Sequence, residues 1–201
     1  MINRYFYKSE ISDFLQDNVN TIFGKISKND EGDSVSEQKY AWSEEIEIMQ
    51  DVLIPWGNEI GEIIFEYSIP RLGKRIDVVL LLRGIVFVIE FKAGSSAYLQ
   101  LDMEQVMDYA LDLKNFHLDS HHRTIVPILV ATDAKNSSAV LTSSVYDDKI
   151  YNPLLSNTHS LRTVISDVLI KENAQSVNSD DFANWAISRY FPTPAIIEAA
   201  S

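Results

Sequence analysis

Apolar residues recur at helical spacing near the start of the chain. Ile11, Phe14, Leu15, Ile22 and Phe23 fall close to one stripe, which predicts an amphipathic helix over residues 9–26. The polar stretch 28–36, rich in Asp, Ser and Gly, interrupts the period. A second helix is expected over 37–53, with Ser34 and Glu37 spaced as a capping box and Pro55-Trp56-Gly57 ending it. Strand-sized apolar runs follow: 63–69, stopped by Pro70, then 75–82 and 85–91, the last two joined by Arg83-Gly84. Residues 101–117 return to helical spacing, with Val106, Tyr109, Ala110 and Leu113 on the buried stripe. An apolar strand is expected over 124–131 in a central place, an edge strand over 139–146, and helices over 158–170 and 180–190. This order predicts an α/β fold with a central mixed sheet of four to five strands and helices on both faces.

The hairpin over 75–91 carries the candidate chemistry. If Arg83-Gly84 is a two-residue turn, Leu82 faces Ile85, Asp77 faces Glu90 and Arg75 faces Lys92. Alternation along each strand then puts Asp77, Glu90 and Lys92 on one face with Val79, Leu81, Val86 and Val88. The other face carries Ile76, Val78, Leu80, Leu82, Ile85, Phe87, Ile89 and Phe91. Both faces are apolar, so both need covering. Two carboxylates opposed in such a sheet repel each other and resist burial. A shared proton or a cation could offset this, and Mg²⁺, which favours oxygen ligands and keeps several waters, suits two carboxylates. Lys92 would stand beside the ion, orienting water or steadying charge on a phosphate. The alternative is an ordinary buried ion cluster, with Glu90 paired to Lys92 or Arg75. Glu-x-Lys alone says little, whereas an Asp, twelve intervening residues and Glu-Phe-Lys on two apolar strands is restrictive.

Other residues could support this centre. Trp42, Glu45, Met49 and Val52 recur at spacings of three and four, so Glu45 lies on or beside the stripe facing the sheet, while Glu44 projects about 100° away. Glu45 would reach a metal from above, or else point to solvent as a boundary residue. Gln105 borders the stripe of its helix and could meet a metal-bound water or a phosphate oxygen, or remain solvated at the helix edge. Arg71, Lys74, Arg75 and Lys114 could touch a phosphate backbone or serve as plain surface charge. His117, His121, His122 and Arg123 make a local basic cluster, read as a solvated turn rather than a zinc site. The sequence contains no Gly-rich phosphate loop, no His-Glu-x-x-His and no Gly-x-Ser-x-Gly.

Composition bounds these expectations. The chain has 201 residues, 46% hydrophobic and 23% charged, which suits one domain with a sizeable core. It is assigned to residues 1–190, with a core at about 34–132. No run resembles a membrane span or a signal peptide. Cysteine is absent, which removes thiolate metal sites and disulfides and is compatible with the cytoplasm. The net charge of −12 argues against a broad basic face gripping nucleic acid unaided. Residues 191–201, opening with Phe191-Pro192-Thr193-Pro194, read as a linker toward a further domain, with a small apolar tail able to begin another helix.

These residues resemble the PD-(D/E)XK superfamily of metal-dependent nucleases. Asp77 matches its aspartate and Glu90-Phe91-Lys92 its (D/E)-x-K element, while Ile76 stands where a proline is often found. The order of helices and strands agrees from roughly Ser34 to Thr132. Glu45 and Gln105 match accessory helix residues of resolvase-like members less closely. Longer strings, residues 69–81, 88–92, 108–117 and 125–132, are similar to the N-terminal region of large bacterial proteins in which a Schlafen-group-3-type DNA/RNA helicase domain follows. The resemblance implies a restriction-endonuclease-like core. Its metal, Mg²⁺ or Mn²⁺, would be held by Asp77, Glu90, the Phe91 carbonyl and Glu45, with Lys92 and Gln105 joining Asp77, Glu90 and Glu45 as catalytic residues. It also implies DNA hydrolysis coupled to a downstream helicase that could hold the nucleic acid, in DNA processing or phage defence. A catalytically silent module binding protein or nucleic acid, or an RNase of the same fold, are the alternatives. A homo-oligomer is compatible with either.

Overall fold

The computed structural model of the chain describes residues 4–30, 36–135 and 148–199. The described residues form an α/β structure around one open mixed sheet of six strands in the order β1-β2-β3-β4-β5-β6. The strands are β1 (Tyr7–Glu10), β2 (Gly61–Ile69), β3 (Lys74–Leu82), β4 (Ile85–Lys92), β5 (Ile125–Ala131) and β6 (Leu154–Ser156). The first four run antiparallel to their neighbours, and β4, β5 and β6 are parallel. The helices are α1 (Ile11–Gln16), α2 (Val19–Asn29), α3 (Ser36–Leu53), α4 (Gln100–Phe116), α5 (Leu161–Lys171) and α6 (Pro194–Ala199).

The turn at Arg83-Gly84 fixes the register. Both residues have positive φ, 49° and 79°, so the link is a two-residue turn of the kind that matches strand twist. Leu82 faces Ile85 as expected, and pairing runs back to Val78↔Ile89. A left-handed arginine is disfavoured by its Cβ. The fork-shaped pair of bonds from Arg83 to Glu59, at 2.8 and 2.6 Å, holds it there.

Helices cover both faces. Ile11 and Phe14 of α1, Ile22 and Ile26 of α2, Trp42, Ile46 and Met49 of α3 and Leu161, Val164 and Ile165 of α5 form one core with Phe65, Val78, Leu80, Phe87 and Ile89. Val106, Tyr109, Ala110 and Leu113 of α4 form the other, with Tyr67, Val79, Leu81, Val86 and Val88, closed by Phe182 and Trp185. The buried stripe expected for α4 is the one observed.

Several elements differ from expectation. The first helix is a strand and two helices. Residues 7–10 pair with β2, and Asn18, in extended backbone, accepts from the Thr21 N–H at 2.8 Å and starts α2. Gln50 donates to the Phe14 and Asp17 carbonyls at that break. The sheet has six strands because the short β1 and β6 flank the expected ones, whereas the strand expected over 139–146 and the Ser34 cap lie outside the described residues. α5 starts at Leu161 because the Asn157 side chain accepts from the His159 and Ser160 N–H groups and forms a turn first. The helix expected over 180–190 reduces to a 3₁₀ turn, Trp185–Ile187. Its backbone is taken up elsewhere: Leu118 N–H donates to Arg189, and His117 bridges Tyr190. Residues 191 and 193 donate to the carbonyls of Phe116 and Asn115 at the end of α4, and α6 follows.

Gly61 starts β2 where only hydrogen fits. A Cβ there would stand 2.6 Å from the Leu81 carbonyl oxygen and 2.7 Å from Ile11 Cδ1. Gly61→Ala is expected to destabilise the fold by about 1–3 kcal/mol. Unchanged denaturant midpoint and slope would show that the β2–β3 ladder yields more easily than this packing implies.

Candidate functional site

Past Val78↔Ile89 the two central strands separate. β3 stays with β2 as far as Ile69↔Lys74, and β4 follows β5 to Lys92↔Ala131. Asp77 fills the fork, its Oδ2 accepting from the Phe91 N–H at 2.8 Å. Asp77 and Glu90 therefore meet at the mouth of a fork rather than as a ladder pair. The expected opposition of Arg75 and Lys92 is likewise not part of the ladder. Arg75 stacks over Phe6 at 4.2 Å and donates to the Glu66 carbonyl at 3.0 Å, while Lys92 turns to α4.

The fork coincides with a kink in β2. Glu66 has φ 56° in mid-strand, a left-handed conformation costing about 1–2 kcal/mol for a residue with a side chain. Alternation reverses there: Phe65 lies in the first core and Tyr67 in the second. Ile76, paired with Tyr67, follows into the second core and so leaves the face expected for it beside Val78. The Glu66 carboxylate is only 3% exposed and accepts from Trp42 Nε1 of α3 at 2.8 Å. Glu45, one turn along α3, is 5% exposed, and its Oε2 has no partner. Glu90 is 4% exposed, with Oε2 likewise unpartnered.

Lys92 is fixed from three sides. Its Nζ lies 3.1 Å from Gln105 Oε1, 3.4 Å from Glu90 Oε1 and 3.5 Å from Asp102 Oδ1. Gln105 also donates to the Tyr109 hydroxyl at 2.6 Å, which fixes its amide. Gln105 thus spends both ends of its side chain holding Lys92 in place, rather than presenting a free amide to a ligand.

Electrostatics set the state of these groups. Burial, then repulsion from Glu66 and Glu90, pushes Glu45 up to about 8. Burial pushes Glu90 up to about 7 against the pull of Lys92. Burial, then repulsion from Glu90, Glu45 and Glu66, raises Asp77 well above the ordinary range despite the Phe91 hydrogen bond. Burial also raises Glu66, against its Trp42 bond. Burial alone would lower Lys92, but Glu90, Asp102 and Asp77 outweigh it and hold it above its usual value. Lys92 is therefore a fixed positive charge at neutral pH, suited to steadying an anion and unsuited to accepting a proton.

The four carboxyls hold protons more tightly than usual and share one committed ammonium, and their hard oxygen donors with orphaned atoms are of the type that suits a hard divalent cation. Among the described residues no group of three or more Asp, Glu or His side chains is already convergent enough to hold a metal. The donor set fits by chemistry, and its members would have to draw together around the ion.

The structure thus brings together Glu45, Asp77, Glu90, Lys92 and Gln105. Arg71 lies elsewhere, stacked on Phe116 at 3.5 Å and bonded to Asp112 at 3.2 Å, two turns along α4 from Gln105. Lys74 is exposed near the β2–β3 tip. Lys114 is buried and donates to the Arg123 carbonyl at 2.8 Å, and burial lowers it to about 8, so it is not presented to a phosphate. His117 is not a solvated turn residue: it is fully buried, bonded to Ser120 Oγ and the Trp185 carbonyl. Glu66, Asp102 and Tyr109 were not anticipated. A lone glutamate inside the apolar run 63–69 was the available signal for Glu66. Comparison with protein-family models, curated proteins and solved structures gave no match.

A carboxylate raised in the fold binds more protons folded than unfolded, so it contributes stability that falls as pH rises toward its folded value. For Glu45 the window runs from 4.5 to about 8. His117, held down at about 3 by burial, works in the opposite sense up to 6.5. Metal-free protein is therefore expected to lose thermal stability between pH 6.5 and 8, and Glu45→Gln to flatten that loss. A melting temperature equally flat in both proteins would show that Glu45 is not held neutral.

Proposed function

We propose that the chain is a nuclease of the PD-(D/E)XK type with a restriction-endonuclease-like core, hydrolysing phosphodiester bonds of DNA with Mg²⁺ or Mn²⁺. The observation that carries this reading is the fork: Asp77 and Glu90 meet where β3 and β4 part, with Lys92 held charged beside them. Asp77, Glu90 and the Phe91 carbonyl would hold the ion, with Glu45 reaching in from α3. When bound, the ion would polarise the phosphate and lower the pKa of a bound water. Lys92 would exchange its Asp102 contact, the longest of its three, for a phosphate oxygen and steady the charge that grows there. Gln105 and Tyr109 would keep its ammonium on that line. Arg71 and Lys74, near the tip that follows β2, would lie under the flanking backbone. The net charge of −12 makes a separate nucleic-acid-gripping domain, such as a helicase, a natural companion.

The same net charge favours a second reading, a module that keeps the fold and binds a protein partner without cutting.

Calorimetry and cleavage assays separate these readings. Wild type is expected to bind Mn²⁺ and to nick plasmid, linear or single-stranded DNA. Asp77→Asn and Glu90→Gln should abolish both properties. Lys92→Ala should keep the ion yet cleave on the order of 100-fold more slowly or worse. Equal cleavage by wild type and Lys92→Ala would refute the assignment, and ion binding with no cleavage of DNA would favour the silent module. RNA cleaved in preference to DNA would make it an RNase on the same fold.

A further inference from the structure

Arg71 is held as a flat surface rather than as a free charge. Its guanidinium carbon lies 3.5 Å from the centre of the Phe116 ring, the spacing of planes stacked face to face. Its Nε donates to Asp112 Oδ1 at 3.2 Å, and that carboxylate is 5% exposed. One face and one edge of the guanidinium are therefore taken. The side chain is still 52% exposed, which leaves the face turned away from Phe116 to solvent. Arginine gives its N–H edge to a phosphate and its plane to a ring, and here part of the edge is spent while the outer plane is not.

The surroundings are rigid and positive. The N–H groups of Leu72 and Gly73 both donate to the Ile69 carbonyl, at 3.1 and 3.0 Å, and Gly73 has φ 61°, so the β2–β3 tip is a closed turn. Pro70, Arg71, Leu72, Gly73 and Lys74 are all exposed. Between Glu66 and Asp77 the sequence holds three cations, Arg71, Lys74 and Arg75, and no acid, in a chain with 17 basic residues against 29 acidic. The tip is a local positive patch on a negative chain, and its complement is an anionic partner.

Two elements tie this patch to the fork. Asp112 and Phe116 follow Gln105 at spacings of seven and eleven residues, on one face of α4. The helix that clamps Lys92 thus anchors Arg71 about 16 Å farther along. Lys74 precedes Asp77 by three residues of β3, about 10 Å of strand. A nucleic-acid strand lying in the fork meets the tip a short way along its length. A duplex keeps both faces of its internal bases covered and offers phosphates alone, which calls for a broader basic face than this one. An unpaired base has a free face, and a guanidinium plane is a surface on which it stacks.

We infer that Arg71 stacks an unpaired base of the DNA strand whose phosphate lies in the fork, with Lys74 against a neighbouring phosphate, so that the substrate is single-stranded or carries an unpaired stretch. This rests on the reading of the chain as a nuclease and assigns its substrate class. Phe116, Arg71 and the base form three layers. Every base has a π-face, so the platform selects for strandedness rather than for sequence.

The test measures binding of labelled oligonucleotides to the purified 201-residue chain by fluorescence anisotropy, at low salt and without divalent ions so that no cleavage intrudes. Wild type is expected to bind a single strand about 10-fold more tightly than the same strand in a duplex, and to lose about 10-fold when abasic sites replace its bases. Arg71→Lys keeps the charge but lacks the plane. It should bind intact and abasic strands alike, about 10-fold more weakly than wild type binds the intact one. Lys74→Ala should lower the salt slope by about 1 and keep the dependence on bases. Equal affinity of wild type for intact and abasic strands, a measurement that needs no variant, overturns the base platform. So does a preference for duplex, or a dependence on bases that survives in Arg71→Lys. Cleavage in Mn²⁺ that treats duplex and single strand alike, with no such dependence, would sink the platform and leave the nuclease reading standing. Binding that depends on bases and on Arg71, with no cleavage in Mn²⁺, would uphold the platform and remove the nuclease reading.

Discussion

A two-residue turn between β3 and β4 governs the geometry of everything at the opposite end of that hairpin. Arg83 holds a left-handed conformation that its side chain disfavours, and two bonds to Glu59 offset the strain. Counting from that turn puts Asp77 and Glu90 at the same height. A slip of one residue would send them to opposite faces of a sheet that is buried on both sides. The sheet then adds what the turn cannot supply. β3 is drawn along β2 and β4 along β5, so the hairpin opens, and Asp77 meets the Phe91 amide inside the gap.

The fork concentrates ionisable groups where the fold can least accommodate their charge. Glu45, Glu66 and Glu90 are each at most 5% exposed, and burial is the leading cause of the upward shift in each. Among the described residues Lys92 is the one ammonium bonded to the group, and Glu90 shares it with Asp102 and Gln105. Hydrophobic cores above and below the sheet supply the stability against which this arrangement is maintained. The acids are built in at a loss, because burying each one costs free energy that no full ion pair offsets.

Much of this was legible in the order of residues. Apolar runs of strand length on either side of Arg83-Gly84 gave the register, and the triplet Glu-Phe-Lys gave two of the fork's groups. Spacing along residues 42–52 pointed Glu45 at the sheet, and the stripe from Val106 to Leu113 was read correctly. What escaped were features decided by tertiary contacts. Alternation is a local rule, and nothing local announces that Glu66 will break it and carry Ile76 with it. Residues 7–10 have no periodicity of their own and become a strand because β2 offers an edge. Residues 180–190 have helical composition, yet His117 and Leu118 compete for their backbone and Trp185 is buried against His117 and Tyr67. Gln105 borders the buried stripe of α4 as its spacing implies, but its bonds to Lys92 and Tyr109 are not written in that spacing.

The hydrogen bond from Trp42 to Glu66 gives the centre an optical voice. The indole is 1% exposed, flanked edge-on by the rings of Phe6 and Phe23, and its only polar contact among those described is to an acid at the fork. Any event that draws electron density away from that acid weakens the bond and alters the field across the ring. The emission of a natural chromophore is thereby tied to the protonation state and surroundings of Glu66, and no dye need be attached to follow them.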